Sequence, residues 1–156
     1  MEPDLRILPA LPEDAPELLD IQVEAFATVA HLYGMERVPP MDETLEEFQA
    51  AVARGGVLKA VVGGASVGAV RGTPGSDGSV LVGRLCVRPG LGRSGAGRAL
   101  MLAVEDLFPD ASRFILYTGE RTPHTRRLYE SIGYAVTHDE IVQGDVRLLW
   151  MAKDNA

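Results

Sequence analysis

Leu85-Cys86-Val87-Arg88-Pro89-Gly90-Leu91-Gly92-Arg93-Ser94-Gly95-Ala96-Gly97-Arg98-Ala99-Leu100 decides how this chain is read. Val80 to Val87 is the longest strand candidate, and Pro89-Gly90 ends it. A helix follows from about Ser94 to Phe108, with Leu100, Ala103, Val104 and Leu107 on one face. A strand that enters a helix through glycines offers backbone N–H groups and a helix dipole to an anion. The charges agree. Four arginines and no acid lie between Leu81 and Val104, so the first helical turn is left for a ligand's negative charge.

Several loop chemistries compete for this segment. Gly92 to Gly97 has the glycine spacing of a P-loop, but Arg98 and Ala99 follow where Lys and Ser or Thr are needed. A dinucleotide fingerprint needs Gly-x-Gly-x-x-Gly, and Gly92, Gly95 and Gly97 are spaced otherwise. A tight turn that only packs helix on sheet is the plain structural reading.

Upstream of this loop the pattern is strand, two helices, then hairpins. Leu5 to Pro9 reads as a strand. Pro12 to Pro16, with Glu13 and Asp14, opens a helix carrying Leu18, Ile21, Ala25, Val29 and Leu32 at helical spacing. Asp42 or Thr44 caps a second helix through Leu45, Phe48 and Val52 to Arg54, closed by Gly55-Gly56. Val57 to Val62 turns at Gly63-Gly64 and returns as Val67 to Arg71, and Thr73 to Gly78 is a loop by composition.

Downstream, Phe114 to Tyr117 reads as a strand. Thr122 as N-cap, Pro123 as first helical residue and Gly133 past the end define a short helix. Tyr134 to Val136 and Val146 to Met151 read as closing strands, the last with bulk enough for core or interface. The order implies an α/β (α+β) fold: a mixed, mostly antiparallel sheet of six to seven strands flanked by about four helices.

Composition sets the bounds. The 156 residues suit a single domain over 1–156. The lone Cys86 excludes a disulfide framework and a structural Cys/His zinc site, and no metal is expected. No apolar run approaches the ~18 residues of a membrane span, and the start has no signal-like core, so a soluble, cytoplasmic protein is expected. A net charge of -7 argues against a nucleic-acid binder. Residues 1–50 hold 12 acids against Arg6 and Arg37, while seven arginines fall in Arg84–Arg98 and Arg121–Arg127.

Val87-x-Pro89 followed by the glycine-rich helix start resembles the acetyl-CoA motif of the GCN5-related N-acetyltransferase (GNAT) superfamily, Arg/Gln-x-x-Gly-x-Gly/Ala. Gly92 stands where Arg or Gln is usual, and Arg93 sits one residue later. Thr125-Arg126-Arg127-Leu128-Tyr129-Glu130-Ser131-Ile132-Gly133-Tyr134 is similar to the family's later motif, Asn/Ala-x-x-Leu-Tyr-Glu-x-x-Gly-Phe/Tyr, with Thr125 replacing Asn or Ala. The resemblance covers essentially the whole chain.

The resemblance implies an N-acetyltransferase that moves an acetyl group from acetyl-CoA directly to an amine, either a small molecule or a peptide amine. Leu85, Cys86, Val87, Gly92, Arg93, Ser94, Gly95, Ala96, Gly97, Arg98, Thr125 and Arg126 would bind the co-substrate. One or two of Arg93, Arg98, Arg126 and Arg127 would meet CoA phosphates. A backbone N–H near Cys86 or Val87 would serve as oxyanion donor. Tyr129 would be the general acid to the CoA thiolate, since a phenol stays protonated at neutral pH. Cys86 is read as a buried small residue rather than a nucleophile.

The acceptor side is the segment from His31 to Glu43, where Glu24, His31, Tyr33 and Glu43 are candidate contacts. Its aromatic and acidic groups predict a small polyamine-like or amino-containing acceptor. No general base is evident; Glu24, His31, Glu43 and Glu120 qualify by type only. His124 and His138 are read as surface residues. Homodimers through sheet edges are common in the family, and the sequence carries no decisive signal for one. The alternatives are a non-catalytic acyl-CoA-binding module of the same fold and, more distantly, a nucleotide-phosphate enzyme.

Overall fold

The computed structural model describes residues 4–91, 95–142 and 146–155. Strand β1 (Leu5–Pro9) leads through a 3-10 turn into helix α1 (Ala15–Leu32), followed by α2 (Leu45–Arg54). Three strands follow, β2 (Val57–Val62), β3 (Ala65–Pro74) and β4 (Val80–Val87). Then come α3 (Ala96–Asp106), β5 (Arg113–Gly119), α4 (Pro123–Ser131), β6 (Ala135–Val142) and β7 (Val146–Asp154). The strands form one seven-stranded sheet in the order β1-β2-β3-β4-β5-β7-β6. Only β4 and β5 run parallel; the other neighbours are antiparallel. The mixed sheet with four helices is the architecture that the sequence predicts.

Each face of the sheet has its own core, as alternation along the strands requires. Ala96, Leu100, Met101 and Val104 of α3 pack with Tyr129 of α4 on Val67, Val70, Val80, Val82, Phe114 and Leu116. On the other face Leu18 and Ile21 of α1 and Phe48, Ala51 and Val52 of α2 cover Val57, Ala69 and Cys86. Thr44 caps α2 as expected: its Oγ1 accepts from the Glu47 N–H at 3.1 Å, and Glu47 accepts from the Thr44 N–H at 2.9 Å.

Some boundaries differ from the sequence reading. β3 runs on through Thr73 and Pro74, because Thr73 and Pro74 pair with Leu81 and Val80. Pro74 is the strand's last residue, where its missing N–H costs least. β6 extends to Val142 because β7 pairs it along its whole length. Helix α3 ends at Asp106, so Leu107 leaves the buried face and is 42% exposed, while Met101 is fully buried in its place. Trp150 is not core: it stacks on His138 at 5.8 Å and meets the half-exposed Tyr117 at 4.9 Å.

Gly68 shows how tightly α3 sits on the sheet. A Cβ there would lie 2.5 Å from the Cys86 carbonyl oxygen and 3.4 Å from Leu100 Cδ1. The carbonyl belongs to a paired strand and cannot retreat. Gly68→Ala is therefore expected to destabilise the fold by about 1–3 kcal/mol, seen as a lower urea midpoint with an unchanged slope.

Candidate functional site

The sheet opens at its centre. β4 and β5 pair only through Val80↔Phe114 and Leu81↔Ile115. Beyond that the parallel strands separate, so Val82–Val87 have no ladder partner on that side. β4 also changes register against β3: Arg71 faces Gly83, but Ala69 faces Cys86. The extra residue is a bulge in β4, and Arg84 sits there with φ +55. The buried phase shifts accordingly, from Val82 before the bulge to the partly buried Leu85 and Val87 after it.

At the mouth of this opening stands the start of α3. Its N-cap is Gly95, in the left-handed conformation at φ +85, and no acid occupies the first turn. Among the described residues nothing lies within 4 Å of where a Gly95 Cβ would be, and a Gly97 Cβ would meet only Leu128 Cδ2 at 3.5 Å. Gly97 thus lets α3 lie against α4. Leu85, Cys86 and Val87 lie on the stretch of β4 that β5 leaves unpaired, and Ala96, Gly97 and Arg98 form the first turn of α3. The expected contacts of Gly92, Arg93 and Ser94 lie outside the described residues. Two predicted phosphate partners are engaged within the protein: Arg98 donates to Ser131 Oγ at 3.2 Å, and Arg126 pairs with Glu130 at 3.5 Å.

Tyr129 projects from α4 into the core beside α3 and is 8% exposed. Burial pushes its phenol above the ordinary value of 10.0, which keeps it protonated. Its hydroxyl forms no hydrogen bond among the described residues. The neighbouring Tyr134 ring is edge-on at 6.2 Å, with its hydroxyl donating to Glu105 at 2.9 Å and Lys153 donating to the same carboxylate at 2.7 Å. The Tyr129 ring therefore has a fixed wall.

The start of α4 is braced by three threonines. Thr122 is at the N-cap position, but its hydroxyl does not cap the helix; it donates to the Gly119 carbonyl at 2.8 Å. Thr125 donates to the Thr122 carbonyl at 2.7 Å, and Thr118 lies 2.9 Å from Thr125 Oγ1. The Thr125 donor is thus spent inside the protein. Tyr33, at the end of α1, reaches across to this loop. Its hydroxyl accepts from the Arg121 N–H at 3.0 Å, and the Arg121 guanidinium lies over its ring at 5.2 Å. A side chain on Gly119 would collide with that hydroxyl.

The predicted acceptor residues have separate partners. His31 is exposed, and Glu24 lies 4.0 Å from Arg88, which also faces Glu17 at 3.9 Å. Glu43 is the buried one. Arg71 grips it bidentately at 2.8 and 2.9 Å, Gln22 donates to it at 3.0 Å, and Gln22 also donates to the Pro40 carbonyl. Burial opposes the Glu43 charge, but the Arg71 and Gln22 hydrogen bonds and the Arg71 and Arg84 charges outweigh it. The carboxyl is held below its ordinary range. Such a carboxylate is a poor general base and offers no spare charge to a cationic amine. Asp14 and Asp42 of the acidic segment are likewise paired, with Lys59 and Arg37. Glu120 pairs with Arg147 at 3.4 Å.

Cys86 is 3% exposed, and burial pushes its thiol up to about 12. It is inert, as the sequence suggests. A groove of about 530 Å³ is lined by Ala51 and Arg54–Gly56 of the α2 end, Arg71–Pro74 of β3, and Leu107 and Phe108. The residues that sequence reasoning missed are Arg71, Gln22 and Arg84. Arg84 alone carries a local signal, the Gly83-Arg84 pair in the middle of an otherwise apolar strand.

Comparison with known proteins bears on this arrangement. The family model described as acetyltransferase (GNAT) domain matches residues 31–155. No curated protein matches the sequence. Among solved structures, the PaiA N-acetyltransferase of Thermoplasma acidophilum in complex with coenzyme A superposes with a TM-score of 0.79 at 16% identity, covering 97% of this chain and 99% of that one. YncA of Salmonella typhimurium, solved with its cofactor acetyl-CoA, gives 0.78 at 16% identity over 98% and 95%. The ribosomal-protein-alanine N-acetyltransferase of Brucella melitensis gives 0.79 at 19% identity over 96% and 99%.

Proposed function

The chain belongs to the GNAT acetyltransferase family, and from that premise we propose that it transfers the acetyl group of acetyl-CoA to the nitrogen of an amine acceptor. The observation that carries this reading is the gap between β4 and β5, with an acid-free helix start at its mouth and the buried Tyr129 in the core beside it. The gap frees backbone groups of β4, and the helix start suits a pyrophosphate. No helix among the described residues is long and apolar enough to cross a membrane.

The residues present fit acetyl-CoA. Gly95 leaves room for phosphate oxygens against the backbone, and the unpaired edge of Leu85, Cys86 and Val87 suits the amide-bearing arm. Bound there, acetyl-CoA supplies a thioester carbonyl open to attack by a neutral amine. An unpaired β4 N–H near Cys86 or Val87 is placed in this reading to stabilise charge on that oxygen. Tyr129 donates its phenolic proton to the departing sulfur. Water takes the proton that the amine loses in this reading, because Glu24, Glu43 and Glu120 are paired with arginines and His31 is exposed.

The raised phenol fixes the pH behaviour. A group whose folded value is raised keeps its proton up to a higher pH, so Tyr129 stays a competent acid throughout the neutral and mildly alkaline range. The rate is therefore expected to rise with pH as the acceptor amine deprotonates. A plateau with no falling limb up to pH about 9.5 is expected in a kcat profile. A falling limb near pH 7 would remove Tyr129 from the role.

Calorimetry with CoA and with ATP, followed by a thiol-release assay over a broad amine panel, tests the reading. CoA binding without ATP binding, and thiol release with at least one amine, is the expected result. CoA binding with no turnover on any amine would indicate an acyl-CoA-binding module instead.

A further inference from the structure

Arg84 is the one non-glycine among the described residues with positive φ. A side chain in that conformation carries a conformational cost, and such outliers gather where a ligand is held. It sits at the bulge of β4, mid-sheet, on the stretch that β5 leaves unpaired. Its side chain makes no ion pair or hydrogen bond among the described residues, although it is partly buried.

Its neighbourhood has too many donors. Arg71 and Gly83 face each other across β3 and β4 and so share one side of the sheet. On that side Arg71 holds Glu43, and the Arg84 charge also reaches Glu43. Two guanidinium charges thus act on one carboxylate, whose oxygens are already taken by Arg71 and Gln22. Arg71 Nε is buried with no acceptor among the described residues. Beside them there is space: among the described residues nothing lies within 4 Å of where a Gly83 Cβ would point. A half-buried cluster with spare positive charge, spare N–H donors and an adjoining space lacks one component, an oxyanion.

We propose that Arg84 binds the carboxylate of the acceptor, so that the substrate class is amines that carry a carboxylate group. This rests on the acetyl-transfer reading above. Arg84 grips the carboxylate on the α1/α2 side of the sheet, and the amine of the same molecule is directed into the gap between β4 and β5. A carboxylate-bearing acceptor departs from the polyamine-like one expected from the acidic N-terminal segment, in which Glu43, Asp14 and Asp42 are paired with Arg71, Lys59 and Arg37.

Arg84→Gly tests this without risk to the fold, because glycine accepts the positive φ at no cost. Amino acids, their methyl esters and the corresponding decarboxylated amines are compared by thiol release in the wild-type protein, in Arg84→Gly and in Arg84→Lys. Dipeptides with a free carboxylate report whether it must belong to the reacting residue. In the wild type the free acids are expected to exceed the esters in kcat/KM by about ten- to a hundredfold. Arg84→Gly is expected to abolish that preference through KM, with kcat on the esters, CoA affinity and Tm all maintained, and Arg84→Lys to restore part of it. Equal kcat/KM for acids and esters in the wild type overturns the inference and leaves acetyl transfer standing. If no amine of any kind turns over, acetyl transfer fails. Calorimetry of the CoA-loaded protein with the free acids then decides: binding lost in Arg84→Gly supports the carboxylate site, and no binding overturns it.

Discussion

Tyr129→Phe is expected to lower kcat by about 10²–10⁴-fold with KM for acetyl-CoA changed less than about twofold. The substitution removes one oxygen and nothing else. The ring stays in the core against Tyr134, whose own hydroxyl is held by Glu105. The Tyr129 hydroxyl has no hydrogen-bond partner to lose among the described residues, so Tm should hold or rise slightly. A structural role would give the opposite pattern, with lost stability and preserved turnover. The size of the kinetic effect follows from leaving-group chemistry. Without a donor the sulfur must depart as a thiolate into a partly dehydrated site. Acceptor amines that are already neutral at the assay pH isolate this step from amine deprotonation.

Arg71→Ala has the largest expected effect on stability. Arg71 and Glu43 side chains are 12% and 8% exposed and joined by two charge-assisted bonds. Removing the arginine leaves a buried carboxylate with only Gln22 and a more distant Arg84 to offset it, a loss of about 3–5 kcal/mol. Against a total of about 5–15 kcal/mol this is a substantial fraction of the folding free energy. Replacing both partners together, Arg71→Met with Glu43→Leu, is expected to be far milder, since no charge is then stranded. Urea unfolding of the two single variants and the double variant measures the coupling directly. The acid limb adds an independent check. Glu43 is held below its ordinary value of 4.5 in the folded protein, so its contribution is complete above that value. It is lost as pH falls through the lower folded value, and the double variant lacks that component.

Much of the fold was legible because its signals are local. The glycine start of α3, the Pro123 entry to α4 and the Thr44 cap of α2 each announce themselves within a few residues. So does the run Leu128-Tyr129-Glu130, which the structure places on α4. The acceptor side was not legible in the same way. Arg71 and Glu43 are 28 residues apart, and nothing in either neighbourhood names the other. The bulge at Arg84 exists only relative to β3, so a single strand read alone looks regular. The acidic count of the first 50 residues suggested a cation-attracting face, but its meaning depends on which bases fold against those acids. Lys59, Arg71 and Arg88 come from β2, β3 and the end of β4. Leu107 was placed on a buried face because helical spacing continues past the point where α3 ends.

The central claim is that this chain forms an amide from acetyl-CoA and an amine. Parallel quantitation of CoA thiol and of acetylated acceptor by mass spectrometry, with carboxylate-bearing amines as acceptors, tests it most directly. The account predicts one thiol released for each acetamide formed, with both signals falling together in Tyr129→Phe. Thiol release without acetylated amine, or equal rates with and without an acceptor, would contradict it.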